Sequence, residues 1–305
     1  NNIMIIVQLI GGLGNQLFQY ATGHSLATQR QDTLKLDISS YTETVADTYK
    51  DIRIYGLQHL AITAPIAEKE EISKYFWPYR HKWTRRCWKL RGRLFRRSYT
   101  KFSYIEEPLG DARKFDPELQ NYTSPNIYLK GFWQSEKYFK DIRAVLLKEF
   151  TVTTPANDRN RSLLAEIKEQ NSVCLHVRRG NATDPGNPFG ALPLDYYQEA
   201  VKIISSRTKD PHFFIFSDDP EWTKNNLKIE HPCTYAGNNE NQDYEDLRLM
   251  SHCKHFINAN STFSWWGAWL STHPEKIVIT PDRYALTKKQ TDPDFFPNGW
   301  IPLTI

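Results

Sequence analysis

The chain has 305 residues, 40% of them hydrophobic and 24% charged. That is enough to bury a large core, which excludes a peptide or a disulfide knot, and no run approaches the ~18 apolar residues of a membrane span. The net charge of +4 is uneven: residues 80–101 carry ten Lys/Arg and no acid, leaving 29 basic against 35 acidic residues elsewhere. The surplus therefore describes one segment, and charge alone gives no reason to expect a nucleic-acid protein.

Residues 3–9 form a short apolar, β-branched run that stops at Gly11-Gly12-Leu13-Gly14-Asn15. A buried strand ending in a glycine loop is predicted. Helical spacing follows over 16–28 (Leu17, Tyr20, Ala21, His24, Ala27), then a second strand at 34–37. The stretch 41–126 is weakly periodic. Within its basic part Trp83, Cys87, Leu90 and Leu94 fall at i, i+4, i+7 and i+11, one apolar stripe on an otherwise cationic helix. A strand at 127–130 and a helix at 142–150 close the first half, and the polar segment 151–160 is the expected linker.

The second half alternates more clearly. Strands are predicted at 173–177, 213–217, 233–236, 255–258 and 276–280, with helices at 195–205, near Glu221, at 244–252 and at 263–271. Such alternation implies parallel sheets covered by helices, with ligands at the carboxyl ends of the strands. Two such halves, 1–154 and 155–305, would face a cleft. The four cysteines, Cys87, Cys174, Cys233 and Cys253, form no CxxC pair, so neither a disulfide framework nor a zinc knuckle is expected. The N-terminus lacks the pattern of a secretory signal, Met4 reads as a native start, and a cytoplasmic location is the expectation.

Four motifs could carry chemistry. The glycine loop precedes a helix whose amide end attracts anions, yet it is neither a Walker loop nor a full dinucleotide fingerprint, so a merely structural turn weighs evenly against ligand binding. In Cys174-Leu175-His176-Val177-Arg178-Arg179-Gly180, His176 and Arg178 share one strand face near its carboxyl edge, where guanidinium matches phosphate oxygens bidentately. Arg179 points the other way and supports the loop or reaches the other half. In Phe216-Ser217-Asp218-Asp219-Pro220 one carboxylate could cap the helix begun by Pro220 and the other could accept from the ring N–H and amino group of guanine. In Asn258-Ala259-Asn260-Ser261-Thr262-Phe263-Ser264-Trp265-Trp266-Gly267, Ser261 or Thr262 can cap a helix whose exposed amides make an anion pocket, while the tryptophans pack. Two further groups are set aside: His252, Cys253 and His255 as a metal site, because no second cluster matches them, and Asp292-Pro293-Asp294, which reads as a turn.

Together these motifs, with Leu192-Pro193-Leu194-Asp195-Tyr196-Tyr197 and the closing Pro297-Asn298-Gly299-Trp300, closely resemble the bacterial α-1,2-fucosyltransferases of glycosyltransferase family 11. The resemblance runs over nearly the whole chain and is weakest in the basic stretch. It implies an α/β fold of GT-B type with two Rossmann-like domains, an acceptor-side domain at 1–154 carrying the basic insertion and a GDP-fucose domain at 155–305. It further implies an inverting, metal-independent transfer of L-fucose from GDP-β-L-fucose to the 2-OH of a terminal β-galactoside, without a cofactor, in surface-glycan synthesis. Arg178 would hold the β-phosphate and His176 would lie near the nucleoside. Asp218 or Asp219, beside Ser217, would meet guanine. Asn260, Ser261, Thr262 and Phe263 would take the diphosphate, and Gly12, Gly14, Asn15 and Gln16 would close over the donor. The family pattern continues Arg-Arg-Gly-Asp-Tyr, whereas this chain has Asn181-Ala182, which removes a charge beside two arginines; Asp184 is the candidate compensation.

Two alternatives follow: a GDP-sugar-binding protein impaired in transfer by Asn181, or a fucosyltransferase of different acceptor or linkage. For residues 80–101 a solvated helical face stands against docking on anionic lipid at the inner membrane surface, and nucleic-acid binding would leave the other motifs unexplained.

Overall fold

The computed structural model describes residues 3–42, 54–76, 102–108, 110, 112–184, 187–237, 239, 242–287 and 292–305. The basic segment 80–101 lies outside them, with Cys87. The chain divides into two compact units, Asn1–Tyr55 with Ile62–Leu146, and Gly56–Ala61 with Leu147–Ile305. The sequence places the change of unit at 154–155; the packing changes over at Leu146 and Leu147. The backbone explains the difference. Ala61 N–H donates to Thr151 O and Thr153 N–H to His59 O, which attaches residues 56–61 and 151–153 to the second unit, and the His59 ring stacks on Tyr244 at 3.9 Å.

In the first unit, β1 (Met4–Gln8) leads through the glycine loop into α1 (Leu13–Arg30) and β2 (Thr33–Asp37). Then come α2 (Lys69–Phe76), β3 (Phe102–Glu106), β4 (Asn126–Lys130) and α3 (Arg143–Glu149). The sheet is parallel throughout, in the order β2-β1-β4-β3. Ile5, Ile6 and Val7 have no exposed surface, as expected for a strand covered on both faces. Helix α1 starts three residues earlier than its apolar spacing shows, because Gly12 in an extended conformation serves as its N-cap. It ends at Gln31, whose φ of +56° lets its N–H reach back to the last carbonyls.

The boundary between the units falls within α3, and the next helix of the second unit is α4 (Asp158–Glu169), capped by Asn157 and lying partly in the expected linker. It continues through β5 (Asn171–Val177), α5 (Leu194–Arg207), β6 (Pro211–Ser217), α6 (Pro220–Asn226) and β7 (Cys233–Tyr235). Helix α7 (Asp243–Ser251), β8 (His255–Ile257), α8 (Thr262–Leu270), β9 (Val278–Pro281) and β10 (Ile301–Leu303) complete it. Its parallel sheet has the order β10-β9-β8-β5-β6-β7. Alternation sorts the side chains into two cores. Val173, Leu175, Val177, Ile215 and Ile257 face α5, and Cys174, Phe214, Phe216 and Phe256 face the α7–α8 side. Trp265 and Trp266 are almost wholly buried, and the Trp265 indole N–H donates to Phe295 O at 2.8 Å. Cys174, Cys233 and Cys253 are free thiols. Among the described residues no helix is long and apolar enough to cross a membrane.

Candidate functional site

Both sheets reverse their order once. The chain adds β6 and β7 on one side of β5 and then β8, β9 and β10 on the other, so the switch falls between β5 and β8. Such a reversal leaves a crevice outside the carboxyl ends of the two strands, where connections diverge and no helix crosses. The residues there are His176, Arg178 and Arg179 from β5, and 258–263 from β8 into α8.

His176 pairs in register with Phe216 and follows Cys174 on the α7–α8 face of the sheet. Its ring lies 6.1 Å from that of Phe263 and is 8% exposed. Burial pushes its pKa down to about 4; Asp218 opposes this, and the nearby charge of Arg178 adds to it. The imidazole is therefore neutral at ordinary pH, able to donate one hydrogen bond and accept another. Its Nδ1 is buried and has no partner in the protein. Arg178, half-buried just past the strand, supplies the fixed positive charge.

Asn258 follows Ile257, whose partner in β5 is Leu175, so it stands beside His176. Its backbone carbonyl accepts from the Tyr196 hydroxyl at 2.6 Å, and the residue is 2% exposed. Both side-chain amide atoms, Oδ1 and Nδ2, are buried without a partner. Buried polar atoms are ordinarily hydrogen-bonded, so three orphaned atoms on adjacent residues at a switch point mark where a polar ligand would be read. The motif-based reading had not assigned Asn258 to the site. Its signal is one residue beyond a short strand, legible only once β8 is known to flank β5.

Ser261 caps α8 through its hydroxyl, which accepts from Phe263 N–H at 3.2 Å, and the first turn holds no acidic residue. The positive end of the helix is thus uncompensated and suits an anion. Thr262 is buried and Phe263 half-buried. Asn260 is tied to the protein through Nδ2, whose two hydrogens are shared among Phe189 O, Gly190 O and Tyr284 O, each at 3.0 Å, pinning the loops that follow β5 and β9, while its Oδ1 is buried without a partner.

The Ser-Asp-Asp element supports the arginine loop. Asp218 accepts from Arg179 N–H at 2.7 Å, and its other oxygen would stand 2.7 Å from a Cβ on Gly180, so a side chain there would have to displace the carboxylate. Asp219 caps α6 by accepting from Trp222 N–H at 3.1 Å, and its second oxygen lies 3.4 Å from Arg179 Nε. The Arg179 guanidinium lies 3.6 Å over the Trp222 ring, turned away from His176. Ser217 Oγ accepts from Asp219 N–H and meets Thr223 Oγ1 at 3.0 Å. Asn181 sits in the short turn Gly180–Thr183, and its side chain lies outside the described set.

The glycine loop belongs to the first unit, where the switch falls between β1 and β4. Gly11 has a φ of +79°, a conformation glycine adopts without strain. Gln16 is buried and donates from Nε2 to Gly11 O and Ile54 O. Gln19 accepts from Ile10 N–H and donates to Gly131 O, and Gln134 donates to Asn15 Oδ1. Gly12 and Gly14 provide the turn into α1. No group of three His, Cys, Asp or Glu able to hold a metal occurs among the described residues; Asp292 accepts from Tyr284 N–H.

The sequence profile described as Glycosyl transferase family 11 matches residues 2–304. An Escherichia coli protein named alpha-1,2-colitosyltransferase is 28% identical over 309 residues, covering 98% of both chains. The E. coli O-antigen biosynthesis glycosyltransferase WbnK is 31% identical over 290 residues, 90% of this chain and 93% of its own. Mouse galactoside alpha-(1,2)-fucosyltransferase 1 is 30% identical over 166 residues, half of this chain and 44% of that one. In fold, a mutant of Arabidopsis thaliana FUT1 in complex with GDP matches with a TM-score of 0.54 at 11% identity, covering 96% of this chain and 73% of that chain. Fucosyltransferase NodZ from Bradyrhizobium matches at 0.50 and 14% identity, covering 89% and 94%. Two parallel α/β units of Rossmann type are the GT-B plan.

Proposed function

The chain belongs to glycosyl transferase family 11, and on that premise we propose that it is an inverting transferase moving L-fucose from GDP-β-L-fucose to the 2-hydroxyl of a terminal β-galactoside in surface-glycan synthesis. The observation that carries this reading is the second unit's switch point, where Arg178, neutral His176 and the uncompensated N-terminus of α8 converge. Arg178 and the first-turn amides would face the diphosphate. His176 and Asn258, uncharged and with free hydrogen-bonding atoms, suit the nucleoside. The acceptor hydroxyl attacks the anomeric carbon as the bond from that carbon to GDP breaks; the bond electrons leave with the diphosphate and the hydroxyl proton is released to solvent. Preorganised positive charge at the place where that negative charge develops lowers the barrier and supplies the role that a metal ion plays elsewhere. Asp218 and Asp219 act by holding Arg179 and the loop, with guanine reading left to the exposed edge of Asp218.

The similarity to a colitosyltransferase favours one second reading, in which the donor sugar is colitose, lacking the 3-hydroxyl of fucose. Incubation with GDP-fucose or GDP-colitose and a panel of galactosides, following GDP release and product linkage, separates the readings. An α-1,2-fucosylated product supports the first, colitose transfer the second. GDP binding without transfer to any acceptor overturns both and leaves a GDP-sugar-binding protein.

A further inference from the structure

The second unit has a cavity of about 670 Å³ at the amino edge of its sheet, the end opposite the switch point. It opens where α7 and α8 finish and where Lys254 leads into β8. One wall is apolar, from Leu147, Phe150, Val152, Leu164, Leu247 and Leu270. The other carries Lys168, Arg248, His252, Lys254 and His273, and no carboxylate lines the cavity.

The two lysines of this wall are not committed to the helix ends. Lys276 Nζ already donates to Ala268 O and Ser271 O at the end of α8. His252 Nδ1 and Ser251 Oγ donate to Arg248 O at the end of α7. Arg248 itself holds Glu245 and the Val152 and Thr154 carbonyls, with its Nε buried and unpartnered. Among the described residues, neither Lys168 nor Lys254 forms an ion pair. Their field is felt within the cavity. His252 is shifted down chiefly by burial, with Lys168 and Arg248 adding to it. Beneath the floor His255 is pushed to about 4 by burial, then by His273 and Lys254, against Glu275. A concave site with unopposed positive charge on one side and exposed aliphatic surface on the other is complementary to an anion that bears an apolar chain.

We propose that this cavity is a binding site for an amphipathic anion, a phosphate head seated on Lys168 and Lys254 with an alkyl chain against Leu147, Val152 and Leu164. The site is separate from the transferase site and does not depend on the donor or acceptor assigned above. Calorimetric titration of the full chain with octyl phosphate, inorganic phosphate and octyl glucoside tests it. Octyl phosphate should bind with one-to-one stoichiometry, at least about tenfold tighter than the head or the tail alone. Lys168→Gln/Lys254→Gln should weaken it at least about tenfold while unfolding at the wild-type temperature without ligand, and Arg178→Ala should bind as the wild type does. Lys168→Glu, on the exposed face of α4, repeats the test should the double variant prove unstable. Wild-type affinity in the lysine variants, binding lost in Arg178→Ala, or equal binding of octyl glucoside would each overturn the proposal.

Discussion

The two units treat the same local junction to different degrees. Each has a parallel sheet whose order reverses once, and each leads a strand from that reversal into a helix with no acidic residue in its first turn. In the first unit the amides of the glycine loop are consumed internally: Gln19 bridges Ile10 and Gly131, Gln16 bridges Gly11 and Ile54, and Gln134 reaches Asn15, while Gln8 Oε1 and Trp133 Nε1 stay buried without a partner. In the second, Asn260 Nδ2 does comparable bridging, but its own Oδ1, His176 Nδ1 and both amide atoms of Asn258 are left over, clustered at the strand ends. The two junctions thus differ in how much hydrogen-bonding capacity they leave for a ligand, and the larger remainder is in the second unit.

That contrast can be broken most forcefully at Arg178. Arg178→Ala should lower turnover with the GDP-sugar donor about 10³-fold, since it removes charge stabilisation from the departing diphosphate. Near-normal turnover, with activity lost instead in Asn15→Ala, would move the catalytic centre to the first unit. Next come the bridging amides. Asn260→Ala should destabilise the protein by roughly 2 kcal/mol, about 1 for each N–H lost to the loop carbonyls, and Gln19→Leu by about 2. Denaturant titration reads both, and a loss in the first much below that of the second would show that the 189–190 and 284 loops are held by other means.

The pH dependence sharpens the picture of His176. Its folded pKa of about 4 lies below the usual 6.5, so the unfolded chain takes up the proton first. The stabilisation is complete above about pH 6.5 and is lost as pH falls toward 4, at up to about 1.4 kcal/mol per unit. Melting temperatures from pH 7 to 4.5 should therefore fall, less steeply in His176→Gln; the remaining slope comes in part from His255, which is shifted in the same direction. Equal slopes would mean that His176 is already protonated in the fold. The smallest effect is expected at Asn258. Asn258→Leu removes orphaned amide atoms, so stability without ligand should hold or rise slightly while GDP affinity falls about tenfold, read by calorimetry. A loss of stability would show that the amide is satisfied within the protein.

Much of this was legible in the residues. Apolar runs ending at glycine or a polar cluster located β1, β5, β6 and β8, and helical spacing located α1, α5, α7 and α8. Segments with weak patterns escaped. β3 is an edge strand only partly buried, and β10 has three residues and contains Pro302, tolerated because it lies at the sheet edge. α4 buries only Asn160, Leu163 and Ile167, so its apolar signal is thin and its beginning reads as linker.

The sequence by itself determined the parallel α/β class, the placing of His176 and Arg178 at a strand end, and a cap for α8 at Ser261 or Thr262, because these depend on periodicities and caps that span a few neighbouring residues. Strand order was decided only by the tertiary structure. It sets β8 beside β5 rather than at an edge, and so brings Asn258 next to His176. It also separates two asparagines two positions apart: Asn260 lies past the end of the strand, within reach of three loop carbonyls, whereas Asn258 stands at the end of the strand with its amide unpartnered. Local sequence cannot distinguish them, since the hydrogen-bond partners come from residues up to 71 positions away.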